Sequence, residues 1–196
     1  ANGRFEYEDV NNDGQINDDD RKYIGSPHPD FTYGINVAME FKGFDLSLFF
    51  NGSQVYNNYN YNKIYTHFPT FFNSNRSIDL VNSWTPDNTN TNLPALSETI
   101  QNSETNPNSF FVEDGSFFRL KNLQFGYTFK DLGVLSAFRI YLQGTNIFTI
   151  TDYSGLDPEV RGQIVNGANF DNLTRGVDWQ LYPISSIYTI GVNLKF

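Results

Sequence analysis

Residues 9–20 carry the side-chain pattern of a calcium-binding loop. Oxygen-bearing side chains recur at the spacing of the twelve-residue loop, and one position contributes its backbone carbonyl. The candidate ligands are Asp9, Asn11, Asp13, Gln15, Asn17 and Asp20. Gly14 allows the sharp turn at position six, and Asp20 replaces the usual Glu with a shorter carboxylate. The pattern predicts a structural Ca²⁺ site, and an acidic surface turn without an ion is the alternative.

The stretch Tyr56–Phe72 interleaves aromatic rings with asparagines. Rings can stack on the apolar faces of sugars, and amides pair with hydroxyl groups as both donors and acceptors. A ligand-binding loop is therefore one interpretation, and packing against neighbouring loops is the other, which we favour. The candidate ligand-binding residues are Tyr56, Tyr59, Tyr61 and Tyr65. For Trp84 and Trp179 we expect packing.

Residues for catalysis are sparse. His28 and His67 are the only histidines in the sequence, and His28 lies between two prolines. The sequence offers no Ser-His-Asp set, no metal-binding histidine pair and no phosphate-binding glycine loop. Two acidic pairs, Glu113-Asp114 and Asp157 with Glu159, have the residue types of a glycosidase, but we expect exposed turn carboxylates there. The sequence therefore predicts that the protein is not an enzyme.

Charge and composition exclude several classes of protein. The formal net charge is −9, and residues 1–20 contain seven acids but one arginine, which disfavours nucleic-acid binding and suits a divalent cation. Cysteine is absent, so disulfides and thiolate metal sites are excluded. No apolar run reaches the length of a transmembrane helix. Abundant aromatics, with Asn, Thr, Ser and Gly, favour an all-β protein with long loops.

Five segments alternate apolar and polar residues with a period of two, which is typical of strands with two different faces. They begin near Phe31, Phe44, Phe117, Phe138 and Tyr188, and the last one ends at Phe196. In the third segment Phe118 and Leu120 fall out of phase with the later apolar residues. We therefore predict a β-bulge near Lys121-Asn122.

The connections between these strands have very unequal lengths. Short turns at one end and long loops at the other are typical of outer-membrane barrels, and each strand is long enough to cross a bilayer at a tilt. The predicted divisions are an extracellular loop 1–29 with the calcium-type motif, a hairpin 30–54, an extracellular loop 55–116, a hairpin 117–147, an extracellular loop 148–185 and a closing strand 186–196.

A soluble β-sandwich would alternate in the same way. Long loops are uncommon in such compact domains, however, and the apolar faces here end in aromatic residues, as the interfacial girdles of barrels do. Five strands cannot close a transmembrane barrel, because about eight are needed and unpaired edges are not tolerated in lipid. We therefore expect the remaining strands to lie N-terminal to this chain.

Seven motifs follow one another along the chain. They are Asp9-Val-Asn-Asn-Asp-Gly-Gln-Ile, Tyr23-Ile-Gly-Ser-Pro-His-Pro-Asp30, Gly43-Phe-Asp-Leu-Ser, Ser83-Trp-Thr-Pro-Asp-Asn-Thr, Val112-Glu-Asp-Gly-Ser-Phe-Phe-Arg-Leu-Lys-Asn-Leu123, Tyr153-Ser-Gly-Leu-Asp-Pro-Glu159 and Gly191-Val-Asn-Leu-Lys-Phe. Each alone is a weak signal. In this order, over nearly the whole chain, they resemble the C-terminal barrel segment of the SusC/RagA family of TonB-linked outer-membrane proteins of Bacteroidetes.

The resemblance implies a fold and a set of partners. Such proteins are 22-stranded barrels with an N-terminal plug, and this chain would supply the last five antiparallel strands. They import oligosaccharides or, in some branches, peptides, with energy delivered by the TonB complex through the plug. A SusD-like lipoprotein covers the extracellular mouth. The expected partners are this lipoprotein, TonB, glycan or peptide cargo and the lipid of the outer membrane, and not nucleic acid.

Two other hypotheses stay open from the sequence. The calcium-type loop and the aromatic stretch would also suit a soluble, calcium-stabilised carbohydrate-binding β module. The same barrel strands could equally anchor a larger outer-membrane assembly without transporting anything.

Overall fold

A computed structural model describes residues 3–70, 75–99, 104–160, 164–165, 168–169, 174–179 and 181–196. The strands are β1 (Phe31–Phe41), β2 (Phe44–Gln54), β3 (Asn57–Asn60), β4 (Val112–Asp114), β5 (Phe117–Leu132), β6 (Leu135–Thr151), β7 (Ile164–Val165), β8 (Ala168–Asn169), β9 (Val177–Asp178) and β10 (Ile187–Lys195). One α-helix, α1 (Asn62–His67), and short 3-10 helices at Asp18–Asp20, Ile78–Asn82 and Ser109–Phe111 accompany them in the described residues.

The chain divides into two compact units. The sheet unit comprises residues 27–58, 114–160 and 181–196, and the loop unit comprises residues 1–26, 59–113 and 161–180. Among the described residues, no helix has the length and apolar character needed to span a membrane.

The sheet unit contains a five-stranded sheet in the order β1-β2-β5-β6-β10. Each neighbouring pair is antiparallel, so backbone N–H and C=O groups are paired along the ladders. The first hairpin turns at Lys42-Gly43, where both residues have positive φ, 48° and 89°. That geometry matches the right-handed twist of the adjoining strands. The prediction of an all-β chain with five long antiparallel strands is confirmed.

One face of this sheet is apolar along all five strands. The register places Val37, Leu48 and Leu123 side by side across β1, β2 and β5. The exposed apolar side chains on this face include Ile35, Met39, Phe44, Phe125, Ile140, Leu142, Ile190, Val192 and Leu194. A continuous exposed apolar surface of this kind is unfavourable in water and typical of a sheet that faces lipid.

A bulge keeps this face continuous through β5. Phe49 pairs with Asn122, but the next residue of β2, Phe50, pairs with Leu120. Lys121 is therefore the extra residue, as predicted near Lys121-Asn122, and the prediction is confirmed. Because side chains alternate, the extra residue returns Leu120 to the apolar face.

A second irregularity faces the first one across the ladder to β6. Asn122 pairs with Thr145 and Leu120 pairs with Phe148, so Asn146 and Ile147 together stand opposite Lys121. Asn146 adopts a positive φ of 51°, which asparagine tolerates better than most residues. The insertions in β5 and β6 therefore lie at the same level of the sheet.

The hairpin of β5 and β6 begins at the predicted residue, Phe117, but extends past its predicted end. The two strands are joined by a two-residue turn, Gly133-Val134, with a φ of 75° at Gly133. At the other end β6 continues to Thr151, past the predicted end at 147. Asparagine is typical of turns and loops, but here the bulge accommodates Asn146 within the strand.

The loop unit is organised around a small aromatic core, so the predicted loop 55–116 contains ordered structure. Ile64, Phe68 and Phe111 are buried together. The side chains packed around them are Phe5, Tyr59, Tyr61 and Phe110. β3 lies between β4 and β9, and the register pairs Tyr59 with Val177 in parallel.

We predict that arginine is tolerated on one face of β2 and not on the other. Leu48→Arg would place a cation in the middle of the apolar face, at a cost of about 2–4 kcal/mol if that face meets hydrocarbon. Ser47→Arg, one residue away on the polar face, is the matched control. The folded fraction of the full-length protein in isolated membranes, read from its heat-dependent gel mobility, should fall for Leu48→Arg alone. Equal losses would contradict the assignment of the faces.

Candidate functional site

An ion pair crosses three strands on the polar face of the sheet. Arg139 on β6 donates from Nε to Asp45 Oδ1 at 2.9 Å and from Nη2 to Asp45 Oδ2 at 2.5 Å. Gly126 on β5 lies beneath the pair, and a Cβ atom there would come within 2.6 Å of Asp45 Oδ1 and 2.7 Å of Arg139 Nη2. The absence of a side chain on Gly126 therefore lets β2 and β6 be bridged directly over β5.

A buried charge cluster occupies the opposite end of these strands. Arg119 on β5 is only 2 % exposed. Its Nε donates to Thr149 Oγ1 at 2.8 Å, its Nη2 to Asp157 Oδ1 at 2.7 Å and its Nη1 to Glu159 Oε2 at 3.2 Å. Lys121 Nζ lies 3.8 Å from Glu159 Oε2, so two cations balance two carboxylates. This compensation offsets the cost of removing the guanidinium from water.

The proline between the two carboxylates is also held by side chains. The Pro158 carbonyl oxygen accepts hydrogen bonds from Tyr56 Oη at 3.0 Å and from Asn58 Nδ2 at 2.7 Å. The Glu159 N–H donates to Asp157 Oδ1 at 2.8 Å. Burial, and then the charge of Glu159, raise the pKa of Tyr56 well above its ordinary value. The turn Asp157-Pro158-Glu159 is therefore fixed to the sheet by both charged and neutral groups.

The expectation that Asp157 would be an exposed turn carboxylate is wrong. Asp157 is 7 % exposed, and its partner Arg119 lies 38 residues earlier in the sequence. A signal was available, because arginine is rarely buried without a counter-charge and Arg119 lies on an alternating strand. Asp157 and Glu159 both form ion pairs with the guanidinium of Arg119, so their role here is structural.

The other acidic pair also has structural partners. Glu113 Oε1 lies 2.6 Å from Lys63 Nζ and accepts a hydrogen bond from Asn60 Nδ2 at 3.1 Å. Asp114 Oδ1 accepts from the Ser116 N–H at 2.8 Å. The two neighbouring acids are thus committed to different local contacts.

The four candidate ligand-binding tyrosines have different packing partners. Tyr56 belongs to the sheet unit, where it is 8 % exposed, and packing accounts for it. Tyr59 belongs to the loop unit and packs on Phe111 with ring centroids 5.5 Å apart. Burial raises the pKa of Tyr59 to about 12. Of the aromatic stretch, Phe71 and Phe72 lie outside the described residues.

Tyr61 and Tyr65 lie one helical turn apart at α1, with ring centroids separated by 5.9 Å. Trp179 stacks on Tyr61 at 4.3 Å with an interplanar angle of 13° and stays partly exposed. Each ring in this group therefore packs against a neighbouring ring on one side. Contact between these tyrosines and a ligand stays a prediction.

The calcium-type loop has the backbone conformation that its sequence predicts. Gly14 adopts a φ of 80°, and its N–H donates to Asp9 Oδ2 at 2.8 Å. The Gln15 N–H donates to Asp13 Oδ1 at 2.8 Å. Asp20 closes the loop, because its two carboxylate oxygens accept the N–H groups of Val10 and Asn17.

These hydrogen bonds, led by the one from Asn17, hold the pKa of Asp20 below its ordinary value. Within the described residues no group of three or more His, Cys, Asp or Glu side chains is gathered closely enough to hold a metal ion. The loop fits the motif in its backbone and its residue types, and Ca²⁺ binding by it stays a prediction.

Comparison with known proteins identifies the family. No family model matches the chain. TonB-dependent receptor P3 of Formosa agariphila is 39 % identical over 194 residues, which cover 97 % of this chain and 19 % of that receptor. TonB-dependent receptor SusC of Bacteroides thetaiotaomicron is 27 % identical over 195 residues, which cover 96 % of this chain and 17 % of that receptor.

The fold agrees with solved structures of the same kind. The RagAB peptide transporter matches with a TM-score of 0.72 at 28 % identity, covering 93 % of this chain and 19 % of the matched chain. The RagAB peptide importer in the closed-closed state matches with a TM-score of 0.68 at 27 % identity, covering 94 % of this chain and 20 % of the matched chain. The chain belongs to the SusC/RagA family of TonB-dependent receptors. It spans about a fifth of the length of the relatives that it matches.

Membership in this family has two direct consequences. TonB-dependent receptors are outer-membrane proteins, which agrees with the exposed apolar face of the sheet. The matched proteins are named as receptors, a transporter and an importer rather than as enzymes.

We predict that Arg119→Met releases the turn at Asp157-Pro158-Glu159. Removing one partner of a buried ion pair costs about 3–5 kcal/mol, because the remaining carboxylate loses its counter-charge. Hydrogen exchange of residues 152–160 in the full-length receptor should accelerate accordingly. Lys121→Met removes a partly exposed partner and should cost less than about 1 kcal/mol. Unchanged protection in Arg119→Met would show that the cluster does not hold the turn.

We predict that Ca²⁺ slows amide exchange across residues 9–20 when compared with Ca²⁺-free buffer containing EGTA. The affinity should be weak, on the order of 0.1–1 mM as in extracellular modules, because Asp20 is shorter than the usual Glu. Asp13→Asn should weaken the effect, and Asp18→Asn, outside the ligand set, should preserve it. If Ca²⁺ leaves the rate of amide exchange in residues 9–20 of the unsubstituted receptor unchanged, the loop is an acidic turn that binds no ion.

Proposed function

We propose that this chain forms part of the wall of an outer-membrane importer that takes up oligosaccharide or peptide cargo with energy from TonB. The observation that carries the proposal is the continuous exposed apolar face of five paired strands, combined with membership in the SusC/RagA family. In the complete receptor the five strands would be the last of a 22-stranded barrel.

The soluble carbohydrate-binding module is the weaker alternative. It would have to cover the apolar rows of β1, β2, β5, β6 and β10 to stay in solution, and side chains on those rows are exposed. The opposite face carries the Asp45–Arg139 pair, whose charges belong on a side that meets water or polar protein. A wall with lipid on one side and a polar interior on the other accounts for both faces.

The partners follow from the family. A SusD-like lipoprotein would cover the extracellular mouth, and TonB would act through a plug outside this chain. The RagAB structures are described as those of a peptide importer, which supports peptide as well as oligosaccharide among the possible cargoes. Tyr59, Tyr61 and Tyr65 would then face cargo or the lipoprotein from an extracellular loop, and bound Ca²⁺ would stabilise residues 9–20.

Transport can be tested in the native host. Deleting the receptor gene, or the gene for TonB, should each abolish uptake of the same labelled cargo, and a plasmid copy of the receptor should restore it in the first strain alone. Supplying oligosaccharide and peptide mixtures separately distinguishes the two classes of cargo. A SusD-like lipoprotein should co-purify with the tagged receptor.

Two results would argue against import. Uptake that persists without TonB, while the receptor is folded in the outer membrane, would exclude energised transport by this protein. A receptor whose deletion changes the co-purifying assembly but no uptake of either class would support the anchoring role instead.

A further inference from the structure

On the polar face of the sheet, the ring of Tyr141 lies across the neighbouring strand β10. Tyr141 on β6 stands opposite Gly191 in the register. A Cβ atom at Gly191 would overlap Cζ and Oη of Tyr141 and would lie 2.5 Å from Cε1. Carbon atoms in contact are about 3.5–4.0 Å apart, so the ring occupies the space that any other side chain at position 191 would need.

Gly191 is required here for space and not for its backbone conformation. It lies within the regular ladder of β10 and does not have a positive φ. An alanine could adopt this conformation, and a glycine inside a strand is otherwise unfavourable. The ring of Tyr141 is therefore what makes position 191 specific for glycine.

The ring is also held by a neighbour on its own strand. Arg139 Cζ lies 4.7 Å from the centroid of the Tyr141 ring, a distance at which a cation attracts an aromatic face. Arg139 is in turn fixed by its two hydrogen bonds to Asp45 above Gly126. Side-chain contacts therefore run from β2 across β5 and β6 to β10.

The apolar face of β10 does not by itself determine how this strand pairs with β6. Its residues on that face are all aliphatic or aromatic, namely Tyr188, Ile190, Val192 and Leu194. A shift of one residue would exchange the two faces of the strand. A shift of two residues, however, would return apolar side chains to apolar neighbours, so the apolar pattern leaves such shifts open.

The ring of Tyr141 opposes shifts of two residues. Tyr141 would stand opposite Thr189 after a shift in one direction and opposite Asn193 after a shift in the other. Both residues carry a Cβ atom where Gly191 has none. The ring would then have to swing away from β10 and lose its position beside Arg139.

The two shifts differ in their other costs. The shift that brings Asn193 to Tyr141 also brings Lys195 opposite Arg139, and like charges directly opposite each other are unfavourable. The shift that brings Thr189 to Tyr141 places no like charge opposite Arg139. The ring therefore matters most against this second shift.

Hydrogen bonds at the ends of β10 determine the register less strictly. Asn146 Nδ2 donates to the carbonyl of Ser185 at 3.2 Å, and Ser136 Oγ donates to the carbonyl of Lys195 at 3.1 Å. Every residue has such a carbonyl, so a shifted strand would offer equivalent acceptors. Ser186 Oγ donates to the carbonyl of Asn146 at 2.6 Å, but Ser186 lies in the connection before β10.

We propose that Tyr141 and Gly191 form a register lock, which fixes the pairing of β10 on β6 and so sets the level at which the other edge of β10 meets its next strand. Among the described residues β10 pairs with β6 alone. In lipid that edge needs a second antiparallel strand, which the rest of the receptor would supply. The lock goes beyond the importer function, because a barrel that only anchors an assembly needs the same register.

Disulfide formation between paired cysteines in the full-length receptor measures the register. Ala137 stands opposite Lys195, and it would stand opposite Asn193 after the shift that brings Thr189 to Tyr141. The pair Ala137→Cys with Lys195→Cys therefore reports the observed register, and Ala137→Cys with Asn193→Cys reports the shifted one. Peptide mass mapping of receptor folded in the outer membrane gives the ratio of the two disulfide yields.

Moving the glycine by two residues should move the register. The double variant Thr189→Gly with Gly191→Ala removes the space at position 191 and opens it at position 189. The ratio of observed to shifted disulfide should fall at least about tenfold, which corresponds to ~1.4 kcal/mol. Thr189→Ala alone is the matched control and should leave the ratio unchanged, because alanine still blocks the ring. Tyr141→Phe keeps the ring and should also leave it unchanged.

Three outcomes would overturn the lock. The first is an unchanged ratio in the double variant. The second is an equally large effect of moving the glycine in a Tyr141→Ala background, where no ring is present to respond to it. The third concerns folding, read from heat-dependent gel mobility: if Gly191→Ala alone prevents folding, adding Tyr141→Ala should restore it, and a failure to do so would show that the ring is not the cause.

Discussion

Backbone N–H and C=O groups find no water inside a hydrocarbon layer, so strands that cross it must be paired along their crossing length. The register of β1, β2, β5, β6 and β10 satisfies this requirement with antiparallel ladders. Pairing also decides which side chains stand beside each other, since a shift of one residue would exchange the faces of a strand. The apolar face and the polar face of the sheet are therefore two results of one set of hydrogen bonds.

The bulges shift the alternation of side chains along a strand but keep the apolar and polar faces of the sheet separate. Lys121 in β5 and the pair Asn146-Ile147 in β6 are inserted at one level, so the apolar rows continue beyond them. The bulge in β6 also fixes the start of β10. Asn146 Nδ2 donates to the carbonyl of Ser185, and the carbonyl of Asn146 accepts a hydrogen bond from Ser186 Oγ. Arg119 lies two residues from the insertion and holds the turn that follows β6. Local departures from regular pairing thus position the charged and polar groups at this end of the sheet.

Much of the sheet could be predicted because the pattern that indicates a strand lies within a few neighbouring residues of the sequence. A period of two identifies a strand from a few neighbouring residues, and the phase error at Leu120 locates the bulge. The ends of β5 and β6 were harder, because residue types such as Gly133 and Asn146 are shared by turns, loops and bulges. The Arg119 cluster was missed since its members lie far apart in the sequence. Burial of Asp157 depends on a contact that alternation alone does not encode.

The register also records an offset between the two hairpins. Phe44, beside the first turn, pairs with Tyr127, yet β5 runs on to Leu132 before the second turn. At ~3.3 Å per residue the second turn lies on the order of 16 Å farther along the strand direction. The end of the sheet is therefore stepped, because β5 runs past the end of β2 while β10 stays paired with β6 as far as Ala137.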